Sequence, residues 1–142
     1  MKTSEKGINL IKQLEGFSSR WYKDADSYSI GYGHFKLPND NFDNINKSFA
    51  DELLHKDVID AENKINNAIK IKLNPDQFDA LVVFAYNVGI GALSKSTLLR
   101  MLNKGDVDGA YKQFLRWDMV GKDHIPGLLN RRLAEQDLFL GE

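Results

Sequence analysis

Strand-like sequence is confined to one short stretch of this chain, and that restriction limits the folds open to it. In residues 20–35 aromatic and β-branched residues alternate with Ser and Gly, a pattern typical of short antiparallel strands. From Ser48 onward the apolar residues recur at helical spacing between turn residues, so everything there is expected to be helical. The pattern predicts an α+β fold that is mainly α, with its strands near the N-terminus.

Capping signals set the expected bounds of the helices. Residues 4–15 form an amphipathic pattern that ends at Glu15. Ser48 with Asp51 resembles a capping box and begins a helix that runs to about Ile69. The sequence Asn74-Pro75-Asp76-Gln77 is a strong start for a buried helix. That helix is expected to end near Val88, and shorter helices are expected over about 95–104, 107–117 and 126–140. Between the strand-like stretch and the helix at Ser48, residues 36–46 are expected to form a loop.

Composition excludes several classes of function. A net charge of −1 provides no basic footprint for nucleic acid. The absence of Cys rules out disulfides and thiolate metal sites, and three widely separated His residues have no metal-binding spacing. The polar start shows neither a signal peptide nor a membrane span, so we expect synthesis in the cytoplasm and no stable membrane insertion.

Two carboxylates flank the start of the strand-like stretch. Glu15 closes an apolar helix, where the negative end of the helix dipole disfavours ionisation. Asp24 precedes the strand residues in a polar turn. Carboxylates held in different environments can act as the acid and the base of a hydrolysis. Spacing alone leaves the alternatives open, because Glu15 could be a solvated helix end, Asp24 and Asp26 turn residues, and His34 a structural histidine.

The order of residues from Glu15 to His34 resembles the catalytic segment of the phage-type lysozymes, the endolysin muramidases. Glu15 is followed after eight residues by Asp24, and then by Ser29-Ile30-Gly31-Tyr32-Gly33-His34. Residues 75–91 resemble the central helix of that family, and residues 98–135 resemble its C-terminal helices. The resemblance covers about residues 4–140 in the same order.

This resemblance implies a lysozyme-like, two-lobed fold in a single domain of residues 1–142. A small antiparallel sheet would lie in an N-terminal lobe of about residues 1–47. A long connecting helix of about residues 48–70 would lead to a helical C-terminal lobe of about residues 71–142. The cleft between the lobes would hold a sugar chain.

The resemblance also implies an activity, the hydrolysis of peptidoglycan at the β-1,4 bond between N-acetylmuramic acid and N-acetylglucosamine. In an inverting mechanism one carboxylic acid protonates the leaving oxygen and a carboxylate activates water on the opposite face. Glu15 would be the acid, Asp24 the base, and Ser29 would help to hold the water. No metal or other cofactor is expected. Tyr32, Asn87 and Arg131 would contact the substrate, although packing, a helix end and a solvated surface would also explain them.

The chain departs from the family pattern between Asp24 and Ser29. Four residues separate them where the family has five with a Gly in the turn, and Ser replaces Thr. Displacing a catalytic group by about 1 Å can cost about 100-fold in rate. We expect Asp24 to remain the base, with Asp26 as the alternative, and we expect Asp26 or Ser27 to adopt the tight turn conformation.

Two other functions remain open from the sequence. One is a peptidoglycan-binding module that has lost turnover through the shortened turn. The other is a lytic transglycosylase, which has less use for a second carboxylate that activates water. The resemblance implies bacterial peptidoglycan as partner, a monomer, and action on the cell wall after release from the cytoplasm. Release would depend on a separate pore-forming, holin-like partner.

Overall fold

A computed structural model describes residues 1–141, which form a mainly helical molecule with one three-stranded sheet and one short hairpin. The α+β class expected from the sequence is confirmed. The N-terminal elements are α1 (Glu5–Glu15), β1 (Ser18–Asp24), β2 (Ser27–Gly31) and β3 (His34–Phe35). The remaining elements are α2 (Lys47–Ala68), α3 (Pro75–Val88), α4 (Ile90–Ser94), α5 (Thr97–Asn103), α6 (Val107–Gln113), a 3-10 turn (Phe114–Trp117), β4 (Met119–Val120), β5 (Asp123–His124) and α7 (Pro126–Phe139).

The three-stranded sheet is antiparallel in the order β1-β2-β3. Asp24 pairs with Ser27 and Tyr22 pairs with Ser29, so Ala25 and Asp26 alone form the connecting loop. Ala25 has a φ of 54°, and among residues 1–141 no other non-glycine residue has a positive φ. The expectation that Asp26 or Ser27 would be strained was therefore wrong. Ala25 is the first of the two loop residues. In the hairpin turn that has a positive φ at one central residue only, that residue is the first one.

Two helix starts test the capping predictions. The box at the start of α3 is confirmed, because Asn74 Oδ1 accepts from Gln77 N and Gln77 Oε1 accepts from Asn74 N. At α2 the predicted start at Ser48 was wrong. Asn46 caps that helix, accepting a hydrogen bond of 2.8 Å from Phe49 N. Asn is as good an N-cap as Ser, so the earlier residue begins the helix.

The segment before α7 also differs from the expectation. Residues 107–117 do not form one helix, since α6 gives way to the 3-10 turn, and β4 and β5 then pair as a hairpin. Strands of two residues are too short to show alternation in a sequence. Within residues 1–141, no helix combines the length and the apolar character needed to cross a membrane.

The core is centred on α3 and positions α1. Every side chain from Phe78 to Ala85 is buried, including that of Asp79. The Asp79 carboxylate accepts hydrogen bonds from the backbone N–H and the hydroxyl of Ser4, the residue that caps α1. The central helix therefore anchors the start of the helix that ends at Glu15.

Helix α2 joins the sheet to the helices that follow. Its 22 residues make it about 33 Å long. Its buried stripe begins with Ala50, which lies against Gly31 of β2, and ends with Ile65. Glu52, Lys56 and Lys64 on the opposite side are exposed. Helix α2 is consequently buried along one side only.

Candidate active site

Glu15 lies at the point where α1 ends. Gly16 ends the helix with a φ of 70°, and its N–H donates to Lys12 O at 2.9 Å. The Glu15 side chain is 17% exposed and packs on Gly33 of the turn between β2 and β3. A Cβ added to Gly33 would lie 3.2 Å from Glu15 Cδ, and the φ of Gly33 is 90°. Only glycine fits both that backbone conformation and that close approach.

Arg131 on α7 holds the Glu15 carboxylate from the opposite side. Its Nη1 donates to Glu15 Oε1 at 3.2 Å, and its Nη2 donates to Glu15 Oε2 at 3.3 Å and to Leu14 O at 3.2 Å. A two-pronged contact of this kind fixes the orientation of a carboxylate as well as pairing its charge. The sequence suggested that Arg131 contacts substrate, whereas the structure places its guanidinium on Glu15.

Asp24 and Ser29 face each other across β1 and β2. The Ser29 hydroxyl, which is buried, donates to Asp24 Oδ2 at 2.9 Å. Asp26 lies exposed in the loop. The shortened turn thus preserves a contact between the two residues that the sequence singled out.

Tyr22 is a neighbour of this pair that the sequence analysis missed. It pairs with Ser29 across the ladder and lies two residues before Asp24 on the same strand face. Burial raises the pKa of the Tyr22 phenol, and the negative charges of Asp24 and Glu15 raise it further. A hydrogen bond with Ser29 acts in the opposite direction. The phenol is therefore protonated at neutral pH and lies within electrostatic reach of both carboxylates.

Tyr32 packs mostly inside the molecule. Its side chain is 9% exposed, its ring centre lies 5.6 Å from that of Phe17, and Lys12 Nζ lies 5.4 Å from the ring centre. Its carbonyl accepts a hydrogen bond of 2.7 Å from the Tyr86 hydroxyl. Burial raises the pKa of Tyr86, so this phenol remains a donor. Tyr32 thereby links the sheet to α3.

Asn87 lies at the end of α3 and contacts a buried arginine. Its Oδ1 accepts from Arg132 Nη2 at 2.6 Å, while Arg132 Nε lies 2.7 Å from Glu135 Oε1. Both members of this ion pair are fully buried, and the Arg132 guanidinium lies 5.0 Å from the centre of the Phe84 ring. Burial raises the pKa of Glu135 to about 8, although Arg132 opposes the shift. The pair lies within α7, and Arg132 fastens α7 to α3 through its contacts with Asn87 and Phe84.

His34 forms a second charged cluster beside the sheet. It is buried, with Nδ1 2.7 Å from Asp57 Oδ2 on α2 and Nε2 2.9 Å from Asp40 Oδ2. Hydrogen bonds to Asp57 and Asp40 raise the pKa of His34, although burial opposes them. Asp40 also accepts from Leu37 N at 2.8 Å. Burial acts to raise the pKa of Asp40, but the bonds from Leu37 and His34 lower it. The imidazole thus fastens β3 to α2.

Comparison with known proteins identifies the family. Residues 12–135 match the family model described as phage lysozyme. The endolysin of Bacillus phage B103 is 42% identical over 99% of this chain, and the endolysin of Acyrthosiphon pisum secondary endosymbiont phage 1 is 38% identical over 98% of it. The match covers 54% of the first relative and 98% of the second. This chain therefore spans about half the length of the Bacillus phage endolysin.

A solved structure agrees with these sequence matches. The muramidase domain of SpmX from Asticaccaulis excentricus superposes with a TM-score of 0.90 at 33% identity, over 98% of this chain and 97% of that domain. The chain belongs to the phage lysozyme family. The lysozyme-like fold implied by the residues around Glu15 is confirmed.

Proposed function

We propose that this protein hydrolyses bacterial peptidoglycan at the β-1,4 bond between N-acetylmuramic acid and N-acetylglucosamine, by an inverting acid–base mechanism. The observation that carries the proposal is the positioning of two carboxylates by one sheet: Glu15 lies against Gly33, in the turn after β2, and Asp24 accepts from Ser29 of β2 at 2.9 Å. Membership of the phage lysozyme family and similarity to phage endolysins and to a muramidase domain support it.

The two carboxylates lie in different surroundings, which suit them to different roles. Glu15 is the general acid: it lies at a helix end, against the Gly33 backbone, where it would give its proton to the leaving oxygen. Asp24 is the general base and activates the attacking water. The Ser29 hydroxyl orients the Asp24 carboxylate and shares in holding that water. Arg131 orients Glu15 before the reaction, and Tyr22 lies opposite Ser29 in the ladder with its phenol protonated.

We propose that the substrate binds in a cleft between two lobes. We place its boundary between an N-terminal lobe of residues 1–47 and a helical lobe from about residue 71, joined by α2. Tyr32, Asn87 and Arg131 are assigned to its walls as substrate-binding residues. Arg131 acts there beside Glu15, and Asn87 is oriented by Arg132.

The retained contact between Ser29 and Asp24 favours a hydrolase over a module that only binds the wall. A carboxylate oriented at 2.9 Å by a buried hydroxyl is suited to activating a water molecule. For the same reason hydrolysis is favoured over transglycosylation, in which the product closes on itself without water. The proposed setting is a monomer that reaches the wall from the cytoplasm through a separate pore-forming protein.

Product analysis on purified cell walls tests this function. The chain should release reducing ends and no anhydro ends. Glu15→Gln should lower the rate by about 10²–10⁴-fold, since that is the usual contribution of general acid catalysis. Its circular dichroism spectrum and binding to walls should match the wild type. Anhydro products would instead establish a transglycosylase, and binding without any product would establish a binding module.

A further inference from the structure

Basic residues without acidic neighbours in the sequence occur in two segments that the proposed reaction does not use. Residues 63–75 and 95–105 contain no Asp or Glu but carry six of the nineteen basic residues. We define these six as the basic face: Lys64, Lys70, Lys72, Lys95, Arg100 and Lys104. The rest of the chain has thirteen basic and twenty acidic residues. The net charge is near zero, but positive and negative residues are unevenly distributed along the chain.

The two acid-free segments meet in space. Asn103 at the end of α5 donates to Ala68 O at 3.0 Å, and its Oδ1 accepts from Lys70 N at 2.8 Å. These bonds hold the loop after α2 against the end of α5, beside Lys104. Arg100 Nη1 in turn donates to Lys95 O at 3.3 Å. Lys70 and Lys104 thus lie where the loop after α2 meets the end of α5.

None of this charge is neutralised within residues 1–141. All six side chains are exposed, and none forms an ion pair with a carboxylate of the described chain. The acidic residues that flank the two segments have other partners. Glu62 accepts from Thr3 N, Asp76 pairs with Lys6 at 3.0 Å, and Asp106 accepts from Gly109 N at 2.9 Å.

An apolar groove opens in the same face. Its volume is about 440 Å³, and Ile65, Ile69, Ile71, Leu73 and Phe78 line it together with Lys72. Lys70 lies between two of these isoleucines in the sequence, and Lys64 precedes a third. An apolar floor bordered by unpaired cations fits a ligand that is anionic at one end and apolar at the other.

The groove lies at the opposite end of α2 from the sheet. Ala50 near the start of α2 packs on β2, whereas Ile65, which lines the groove, lies about 22 Å further along the helix. Electrostatic effects decay over about 10 Å at 0.1 M salt. The acidic residues near the sheet therefore do not cancel the field at this face.

From the groove and its unpaired cations, we infer that the basic face binds the surface of an anionic phospholipid bilayer. Phosphate headgroups lie on the lysines and arginine, and an acyl chain segment enters the groove. This is a peripheral attachment and requires no membrane-spanning helix. It does not depend on the proposed hydrolysis, and it would leave the region around Glu15 and Asp24 facing away from the lipid.

Vesicle co-sedimentation in 0.1 M salt tests the inference. The chain should bind vesicles of 30% phosphatidylglycerol in phosphatidylcholine and should not bind pure phosphatidylcholine. The double variant Lys70→Gln/Lys72→Gln should bind about 25-fold more weakly, since each lysine at such a surface contributes about fivefold. The matched control Lys56→Gln/Lys122→Gln removes the same charge from exposed sites elsewhere and should cost less than about threefold.

A second variant tests the contribution of the apolar groove to vesicle binding without changing the charge. Ile71→Ser should weaken binding to the phosphatidylglycerol vesicles about tenfold, because the groove loses apolar surface. Its thermal unfolding and its activity on cell walls are measured in parallel to show that the fold is kept. Equal losses in the two double variants would overturn the inference. A second result would also overturn it: the chain binds inorganic polyphosphate as tightly as the vesicles at matched phosphate concentration, and Ile71→Ser has no effect on vesicle binding. The basic face would then be a site for soluble polyanions.

Discussion

The two carboxylates of the candidate site are held in contrasting ways. Glu15 is fixed by tertiary contacts from two distant elements: the Gly33 backbone and the Arg131 guanidinium, with α7 itself fastened to the core by Arg132. Asp24 is fixed by one bond across a hairpin whose loop has a strained Ala25. The position of Glu15 therefore depends on the packing of the whole molecule. The position of Asp24 depends on local strand geometry, so substitutions should affect the two carboxylates by separate routes.

The largest effect on the acid side should come from the buried ion pair. Arg132→Met leaves Glu135 buried without its partner, which should lower the free energy of unfolding by about 3–5 kcal/mol. Urea denaturation followed by circular dichroism measures this change. Arg116→Met at an exposed position is the control and should change stability by less than about 0.5 kcal/mol. A similar small change for Arg132→Met would mean that neither the pairing of Glu135 nor the contacts of Arg132 with α3 stabilise the fold.

The contact between Gly33 and Glu15 should couple stability to activity. Gly33→Ala places a methyl group against the Glu15 carboxylate and strains a φ of 90°, so it should cost about 1–3 kcal/mol and lower the rate on cell walls at least tenfold. Gly127→Ala in α7 has open space around it and should preserve both properties. An active, stable Gly33→Ala variant would show that Glu15 does not need this close approach.

The His34 cluster should make stability depend on pH. Because the pKa of His34 is raised in the folded state, its charged form stabilises the fold fully below about pH 6.5. That contribution is lost as the pH rises through the folded-state pKa. Asp57→Asn removes the carboxylate at Nδ1 and should cost about 1.5–3 kcal/mol at pH 5.5, but less at pH 9. Denaturation at the two pH values checks this, and an equal cost at both would exclude a charged His34.

The smallest effect concerns the hairpin that carries Asp24. Ala25→Gly should raise the free energy of unfolding by about 1 kcal/mol, because Gly adopts the positive φ without steric cost. Ala134→Gly within α7 should lower it by about 0.5–1 kcal/mol. Thermal unfolding of the two variants measures this contrast. A destabilised Ala25→Gly would show that the turn adopts another conformation in solution.

Local signals predicted the parts of the fold that local interactions determine. Gly16 after Glu15 and the box at Asn74 mark helix ends within a few residues of sequence, and the structure has them there. The partner of Arg131 was not predictable in this way, because Glu15 lies 116 positions away and only packing brings them together. For the same reason the sequence does not show that Arg132, the next residue, is fully buried.

The strained turn between β1 and β2 shows a second limit of prediction from the sequence. The missing Gly between Asp24 and Ser29 predicted strain, but the strained residue depends on the loop length, which the strand register decides. Pairing of Asp24 with Ser27 leaves Ala25 as the first loop residue. Tyr22 was missed for a related reason, since its place beside Ser29 also follows from the register. The sequence did offer one signal for Tyr22: it lies two residues before Asp24, and such residues of a strand share a face.

The assignment of Asp24 as the base is the central claim, and comparing Asp24→Asn with Asp26→Asn tests it most directly. The initial rate of reducing-end release from cell walls is measured for both variants, with circular dichroism to confirm folding. Asp24→Asn should lower the rate by at least about 100-fold, and Asp26→Asn severalfold at most. The reverse order in folded protein would contradict the account, because the hairpin would then present Asp26 to the substrate.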